Sequence, residues 1–200
     1  MSDIGPKINN IVCTADLNCK LDLKKISITK TIKNVEYNPN KFSGLRLKIK
    51  EPKATVLIFV NGKIVCLGGK SVEESEKACG KVEQLLKDLG YPALLKDFKV
   101  RNMVGSVRLN FKIPLAKLNT YLKHYMNQKA VYEAEIYPAL IYYFGKNQKN
   151  EPKSKKYDKN LNLVCQIYGT GNIVITGAKN QKHLWDVWNE VSPILLRFRE

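Results

Sequence analysis

Leu57-Ile58-Phe59-Val60-Asn61-Gly62-Lys63-Ile64-Val65-Cys66-Leu67-Gly68-Gly69-Lys70 is the stretch from which the fold can be read. Apolar residues run into Asn61-Gly62, a strong hairpin-turn signal, and a second apolar run follows. Gly68-Gly69 is expected to break the strand, and Lys70-Ser71 to open a helical pattern. The stretch has a twin. Tyr168-Gly169-Thr170-Gly171-Asn172-Ile173-Val174-Ile175-Thr176-Gly177-Ala178-Lys179 aligns with residues 59–70 without a gap. Gly62/Gly171, Ile64/Ile173, Val65/Val174, Gly68/Gly177 and Lys70/Lys179 are identical. A repeated hairpin, glycine break and helix implies one unit built twice.

Working outward from the hairpin, residues 71–89 read as the clearest helix. Ser71 is a candidate N-cap with Glu74 three residues on, a capping box. Val72, Ser75, Cys79, Val82, Leu86 and Leu89 fall on one stripe. Gly90 and Pro92 end it. Upstream, residues 1–7 read as a short loose tail and 8–17 as a strand centred on Ile11-Val12. Residues 21–28 fit either a short helix or an extended segment. Residues 32–37 and 42–50 are strand-like. In the latter, Leu45, Leu47 and Ile49 alternate with Arg46, Lys48 and Lys50.

The second half repeats this order. Residues 98–111 are strand-like and carry Asn102-Met103-Val104, an echo of Asn10-Ile11-Val12. Residues 114–125 show a short helical pattern, and 130–132, 140–144, 161–168 and 173–176 read as strands. A last helix carries Leu184, Trp188, Val191, Leu195 and Phe198, with a bend or interruption expected at Pro193. The lysine-rich run 145–160 shows no apolar periodicity and reads as a flexible loop. It has no counterpart in the first half. Asn10 and Asn102 are 92 positions apart (102 − 10), whereas Lys70 and Lys179 are 109 apart (179 − 70).

Each half is thus a run of antiparallel strands closed by one long helix, an α+β class. The hairpin is apolar on both sides: Leu57, Phe59, Val65 and Leu67 on one, Ile58, Val60, Ile64 and Cys66 on the other. A helix layer covers one side only, so an apolar sheet face is left over, which marks a binding surface.

The composition indicates what binds there. The 200 residues include 34 Lys+Arg against 18 Asp+Glu, a formal net charge of +16. Such an excess points to a polyanionic partner, above all nucleic acid. The five cysteines form no Cys-x-x-Cys pair and there are only two histidines, so zinc spacing is absent and buried free thiols in a reducing compartment are expected. No metal or other cofactor is implied. No secretory h-region and no apolar run long enough to span a bilayer is present. No paired carboxylates, Ser/His/Asp set or phosphate loop is present, which argues against an enzyme.

With these residues assembled, the chain resembles the TATA-box-binding protein family, as a divergent member. The matching stretches are Asn10-Ile-Val, Cys19-Lys-Leu-Asp-Leu-Lys24, Glu36-Tyr-Asn-Pro39 with Lys41-Phe42, Glu51-Pro52-Lys53, Leu57-Ile-Phe59 with Gly62-Lys63, Asp97-Phe-Lys99, Asn102-Met-Val-Gly-Ser106, Leu140-Ile-Tyr142, Val174-Ile-Thr-Gly-Ala-Lys179 and Pro193-Ile-Leu195. They run in register from about Ile8 onward, except at the lysine-rich run and a small insertion near Lys30. The resemblance implies a saddle: two pseudo-symmetric repeats, 8–93 and 94–200, forming one curved ten-stranded antiparallel sheet with helices on the convex side. The concave face would lie in a widened minor groove.

Residue by residue, the resemblance places Asn10 and Asn102 facing the minor groove near the dyad, where an amide donates to adenine N3 and thymine O2. It makes Val12, Leu57, Val65, Val104 and Val174 an apolar floor, and Thr176 a groove-facing threonine. Phe42 with Phe59, and Tyr137 with Tyr168, become wedges between base steps. Lys41, Lys48, Lys50, Lys63, Lys70 and Lys179 meet phosphates. Glu133, Glu135 and Ile136 match a docking stirrup for a transcription factor IIB-like protein. Transcription factor IIA and TBP-associated factors are further implied partners, and the nucleus the implied location.

The chain also departs from the family pattern. Both second-half wedges are Tyr. Leu67 stands where a threonine is usual, Gln166 replaces an apolar floor residue, and Tyr143 and Asn172 replace basic residues. Arg101 precedes Asn102 where an uncharged residue is common. Glu76, Gly80 and Gln84 on the first long helix replace basic residues where transcription factor IIA would dock. Two functions result. One is a general initiation factor that binds and bends A·T-rich promoter DNA and recruits the preinitiation machinery. The other is a related factor with weak TATA preference acting mainly as a protein-interaction scaffold.

Overall fold

The computed structural model describes residues 4–29, 32–147, 149 and 162–199. The chain divides into two compact units, one spanning Asn9–Asn102 and the other formed by the residues up to Ile8 and from Met103 onward. The expected α+β class is the one observed: the described residues form ten strands, paired antiparallel, and four α-helices. No helix among the described residues is long and apolar enough to cross a membrane.

The first unit holds β1 (Lys7–Asp16, from Asn9 on), α1 (Leu23–Ser27), β2 (Val35–Glu36), β3 (Leu45–Ile49), β4 (Ala54–Ile58), β5 (Lys63–Gly69) and α2 (Val72–Asp88), with strand order β2-β3-β4-β5-β1. Residues 96–102 of β6 (Lys96–Arg108) complete it. The ambiguous 21–28 segment resolves as a helix because Asp22 caps it, accepting from the Lys25 amide at 3.0 Å while Leu23 and Ile26 turn inward. The strand expected over 32–37 shrinks to Val35–Glu36. The insertion read near Lys30 lies outside the described residues.

In the decisive hairpin, the amide of Phe59 donates to the Lys63 carbonyl at 3.0 Å and that of Gly62 to the Phe59 carbonyl at 2.9 Å. The loop is therefore Val60-Asn61-Gly62, one residue longer than an Asn-Gly turn. Val60, expected on the same side of the hairpin as Ile58, sits in this loop and is exposed. Gly62 has φ +86°, and a Cβ there would lie 2.3 Å from the Cys19 carbonyl oxygen. The loop is clasped from outside: the Leu17 amide donates to Gly62 and the Leu21 amide to Val60, both at 2.9 Å.

Gly68 does not end its strand. Ile11 pairs with Gly69 and Val12 with Leu67, so Gly68, at φ +95°, is the extra residue of a β-bulge within β5. Helix α2 starts as expected: the Ser71 hydroxyl accepts from the Glu74 amide at 3.1 Å, while Glu74 reaches back to the amide of Lys70 rather than of Ser71. Ser75, Ala78, Cys79, Val82 and Leu86 bury one side against β4 and β5. A fully buried leucine such as Leu86 contributes on the order of 2 kcal/mol by leaving water. Cys13, Cys66 and Cys79 lie in this core, and burial is the main reason the Cys13 thiol is pushed up to about 11. All five cysteines are free.

The second unit repeats the construction. It holds β6 from Met103, α3 (Leu115–Thr120) running into a π-helical turn at Tyr121–Tyr125, β7 (Gln128–Val131), β8 (Ala139–Asn147), β9 (Val164–Tyr168), β10 (Asn172–Ala178) and α4 (Gln181–Leu196). Its strand order is β6-β10-β9-β8-β7. The clasp recurs: the Leu109 amide donates to Gly171 at 2.9 Å and the Ile113 amide to Gly169 at 3.0 Å. A bulge recurs near Gly177, φ +87°. Gly145 and Lys146, read as the start of a loop, extend β8; most of the remaining 145–160 run lies outside the described residues. Helix α4 continues through Pro193, which sits in its last turn, and ends before Phe198. Residues 4–6 lie against α4: the Trp188 indole donates to the Ile4 carbonyl at 2.9 Å.

Candidate nucleic-acid interface

Pleating sends alternate residues of each sheet to opposite sides. In the first unit, Leu45, Val56, Ile58, Ile64 and Cys66 are buried on the helix side. The other side is only half-buried and carries the predicted floor. Cross-strand partners arrange it in rows. One row runs Arg46, Leu57, Val65, Thr14, and the next Lys48, Thr55, Leu67, Val12. Three predicted floor residues, Leu57, Val65 and Val12, are thus brought together, with Arg46 at the outer end of one row and Lys48 at that of the other. Arg46 also pairs with Glu36 at 3.0 Å.

The corresponding side of the second unit has one row of Ser106, Val174, Gln166, Ile141 and Val131, and beside it Thr176, Val164 and Tyr143. Val104 is half-buried on the same side of β6. Thr14 and Ser106 keep the 92-position offset of the paired asparagines. They are hydroxyl-bearing floor positions that sequence reading passed over, although that offset would have exposed them. Tyr143 occupies the place of Lys48, and Lys129 Nζ lies 4.5 Å from its ring centroid. A cation is therefore restored there from the neighbouring strand, which no motif signalled.

Asn10 is fixed by the bulge. Its Oδ1 accepts from the Gly68 amide at 2.9 Å. Since that partner can only donate, the oxygen is identified and Nδ2 keeps its hydrogens for another acceptor. Asn102 is half-buried in β6 of the first unit. Its neighbour Arg101 donates from Nε to the Thr14 hydroxyl at 2.8 Å. Thr14, Lys20, Lys63, Lys99 and Arg101 line one concave patch with Phe59 and Val65, so Lys20, Lys99 and Arg101 add cations that the sequence reading left out.

The wedge pairs stand at the ends of the floors. Phe42 and Phe59 have ring centroids 5.8 Å apart at 69°, edge to face. Gly44 makes room for them: a Cβ there would lie 2.7 Å from the Phe42 ring. Tyr137 and Tyr168 are 6.3 Å apart at 60°. Phe42 and Tyr137 are equally exposed, at 38%, so the two pairs differ in chemistry rather than access. The tyrosine hydroxyls are 2.8 Å apart, and Tyr137 also reaches Gln166 Oε1 at 3.4 Å. The Tyr168 phenol is pushed up, first by its bond to Tyr137 and then by desolvation.

Both outer wedges leave the same local turn. The Lys41 and Phe42 amides donate to Asn38, at 3.0 and 2.9 Å, and those of Ile136 and Tyr137 donate to Glu133 at the same distances. Glu133, Glu135 and Ile136 project from the second of these turns, with Ile136 78% exposed. Lys41, Lys48, Lys50, Lys63, Lys70 and Lys179 are all exposed. Among the described residues no group of His, Cys, Asp and Glu could hold a metal ion.

The family model described as transcription factor TFIID (or TATA-binding protein, TBP) matches residues 5–89 and 97–198. Among curated proteins, TATA box-binding protein-like 2 of Xenopus laevis is 40% identical over 199 residues, covering 100% of this chain and 56% of that protein. The TATA-box-binding protein of Spodoptera frugiperda is 40% identical over 197 residues, covering 98% of this chain and 58% of that protein. The chain spans about half the length of the curated relatives it matches. Among solved structures, Methanococcus jannaschii TBP superposes with a TM-score of 0.75 at 28% identity, over 96% of this chain and 99% of that one.

Proposed function

The chain belongs to the TATA-binding protein family, and from that premise we propose that it is a non-enzymatic transcription initiation factor of the nucleus that binds A·T-rich duplex DNA through the minor groove and bends it. The observation that carries the proposal is the form of each unit's uncovered sheet side: a half-buried floor with an aromatic pair at its end, Phe42–Phe59 in one and Tyr137–Tyr168 in the other. Apolar wedges of this kind unstack base steps and kink DNA. The repeats, 8–93 and 94–200, each contribute one such side. Asn10 and Asn102 supply amide donors, and Val12, Leu57, Val65, Val104, Val174 and Thr176 pack on sugars and base edges. Lys41, Lys48, Lys50, Lys63, Lys70 and Lys179 neutralise phosphates.

In this reading Glu133, Glu135 and Ile136 recruit a transcription factor IIB-like protein, an acidic and apolar projection on an otherwise basic chain. Transcription factor IIA and TBP-associated factors are further candidate partners. The polar second face, with Gln166 in the floor and hydroxyls on both wedges, supports a second reading: a related factor with weaker TATA preference that acts mainly as an assembly scaffold.

A salt titration of duplex binding tests the proposal, using an A·T-rich and a G·C-rich duplex followed by fluorescence anisotropy. Six lysine–phosphate contacts predict a slope of about −5 in log K against log salt. A slope near zero, or equal affinity for both duplexes, removes the groove-binding reading and leaves the scaffold.

A further inference from the structure

At Gln166 a carboxamide in the second unit's floor stands where the first unit has an aliphatic side chain. It stands opposite Val174 on β10 and Ile141 on β8, the place Leu57 takes between Val65 and Arg46 in the first unit. An apolar residue there offers a base edge nothing to bond. A carboxamide offers a donor and an acceptor side by side.

Among the described residues, the amide has one hydrogen-bonding neighbour. Gln166 Oε1 can only accept, so the Tyr137 hydroxyl, 3.4 Å away, donates to it. Tyr137 has then spent its hydrogen, and the contact at 2.8 Å must be donated by Tyr168. The relay runs from Tyr168 to Tyr137 to Gln166. It keeps one lone pair of Oε1 occupied and the other open. In this arrangement Oε1 faces Tyr137, and no described residue claims Nε2.

In the minor groove every base pair shows acceptors, and only G·C adds a donor, the guanine N2 amine beside N3. Adenine has N3 and no amine. An apolar floor therefore strands the guanine amine without a partner, a cost that favours A·T. A carboxamide is complementary to the guanine edge. We propose that Gln166 is a base-reading residue that accepts one guanine in the half-site facing the second unit, donating from Nε2 to N3 and accepting N2–H at Oε1. Tyr137 and Tyr168 act on this contact as positioning residues.

The proposal rests on the minor-groove reading above, and its test separates the two. Competition binding is measured on A·T-rich duplexes in which a single guanine, paired with cytosine, is stepped along the site. Each is compared with the same duplex carrying hypoxanthine, which lacks only the N2 amine. The readout is the hypoxanthine-to-guanine ratio of Kd at each position. For the wild-type chain the ratio is expected to rise to about ten at one position and to stay near or below one elsewhere. In Gln166→Leu, which installs the residue that the first unit already carries, the peak should vanish. In Tyr137→Phe it should fall about threefold, since the amide is free to turn. Intact binding with no peak in the wild type, or a peak that survives Gln166→Leu, overturns the assignment of Gln166. Failure to bind any duplex overturns the groove reading and this proposal with it.

Discussion

The hydroxyl of Tyr137 lies 2.8 Å from the hydroxyl of Tyr168, and each is the other's nearest hydrogen-bond partner. In the first unit the same places hold Phe42 and Phe59, which touch edge to face without any polar contact. One pair of rings is thus joined by a bond that a base step has to break or carry along, and the other by dispersion alone.

The bond sets a pH dependence for Tyr168. A raised phenol pKa means that the folded state favours the neutral form. Its contribution is present below the ordinary tyrosine value of about 10 and is lost as pH rises through the raised folded value. In an NMR titration the Tyr168 ring should ionise later in the wild-type chain than in Tyr137→Phe. Identical curves would remove the bond.

A wedge that enters a base step takes its hydroxyl out of water. A buried hydroxyl without a partner costs on the order of 1–3 kcal/mol, and here the Tyr137–Tyr168 bond offsets part of that cost. Replacing both tyrosines by Phe should still lengthen the DNA complex lifetime and deepen the second bend, read by fluorescence energy transfer. A weaker or shorter-lived complex would show the hydroxyls bonding to the DNA.

Gly44 is needed for the phenylalanine pair rather than for the backbone. Gly44→Ala would place a methyl 2.7 Å from the Phe42 ring and 3.1 Å from the Phe59 ring. Thermal unfolding should move little, because Phe42 is exposed. The off-rate from DNA should rise about five- to tenfold, equivalent to about 1 kcal/mol of displaced packing.

Asn10 has two separable duties. Asn10→Asp keeps the acceptor for the Gly68 amide and loses the Nδ2 donor, so the fold should hold while A·T-rich binding drops. Asn10→Ala loses both and should also cost about 1 kcal/mol of stability. Chemical denaturation of the two variants distinguishes the duties; equal stability losses would refute the division.

Glu133 and Glu135 serve as the recruiting charges only if their reversal is selective. The double variant Glu133→Lys, Glu135→Lys should abolish capture of a transcription factor IIB-like protein in a pull-down and leave duplex binding in place. Recruitment that survives the reversal returns both to ordinary surface residues.

Much of this architecture was legible in the sequence because the repeat reports it twice. The Gly62/Gly171 and Asn10/Asn102 pairs carried the hairpins and the clasped strands, and the spacing of Ser75, Cys79, Val82 and Leu86 carried α2. The errors share a physical cause. Gly68 was read as a strand break because a glycine with positive φ looks the same in a turn and in a bulge. Only the pairing of Val12 with Leu67 and Ile11 with Gly69 tells them apart. Val60 was misplaced because alternation cannot say where a loop gains a residue. At the site, the floor and wedge residues are the ones that the family resemblance implies, position by position. The Tyr168–Tyr137–Gln166 relay and Lys129 over Tyr143 lie beyond it: the relay joins two residues of β9 through Tyr137 in the connection before β8, and Lys129 on β7 reaches across to Tyr143 on β8.

The clasp on each hairpin closes a ring in the chain, from Leu17 to Gly62 in one unit and from Leu109 to Gly171 in the other. The rings hold about 45 and about 62 residues, and by the logarithmic growth of closure entropy the longer costs only about 0.3 kcal/mol more. The lysine-rich run accounts for most of the difference and falls inside the larger ring. Chain can be threaded into that ring, or removed from it, at almost no thermodynamic penalty. By closure entropy alone, that ring is the one to lengthen with a fluorophore tag or a grafted peptide.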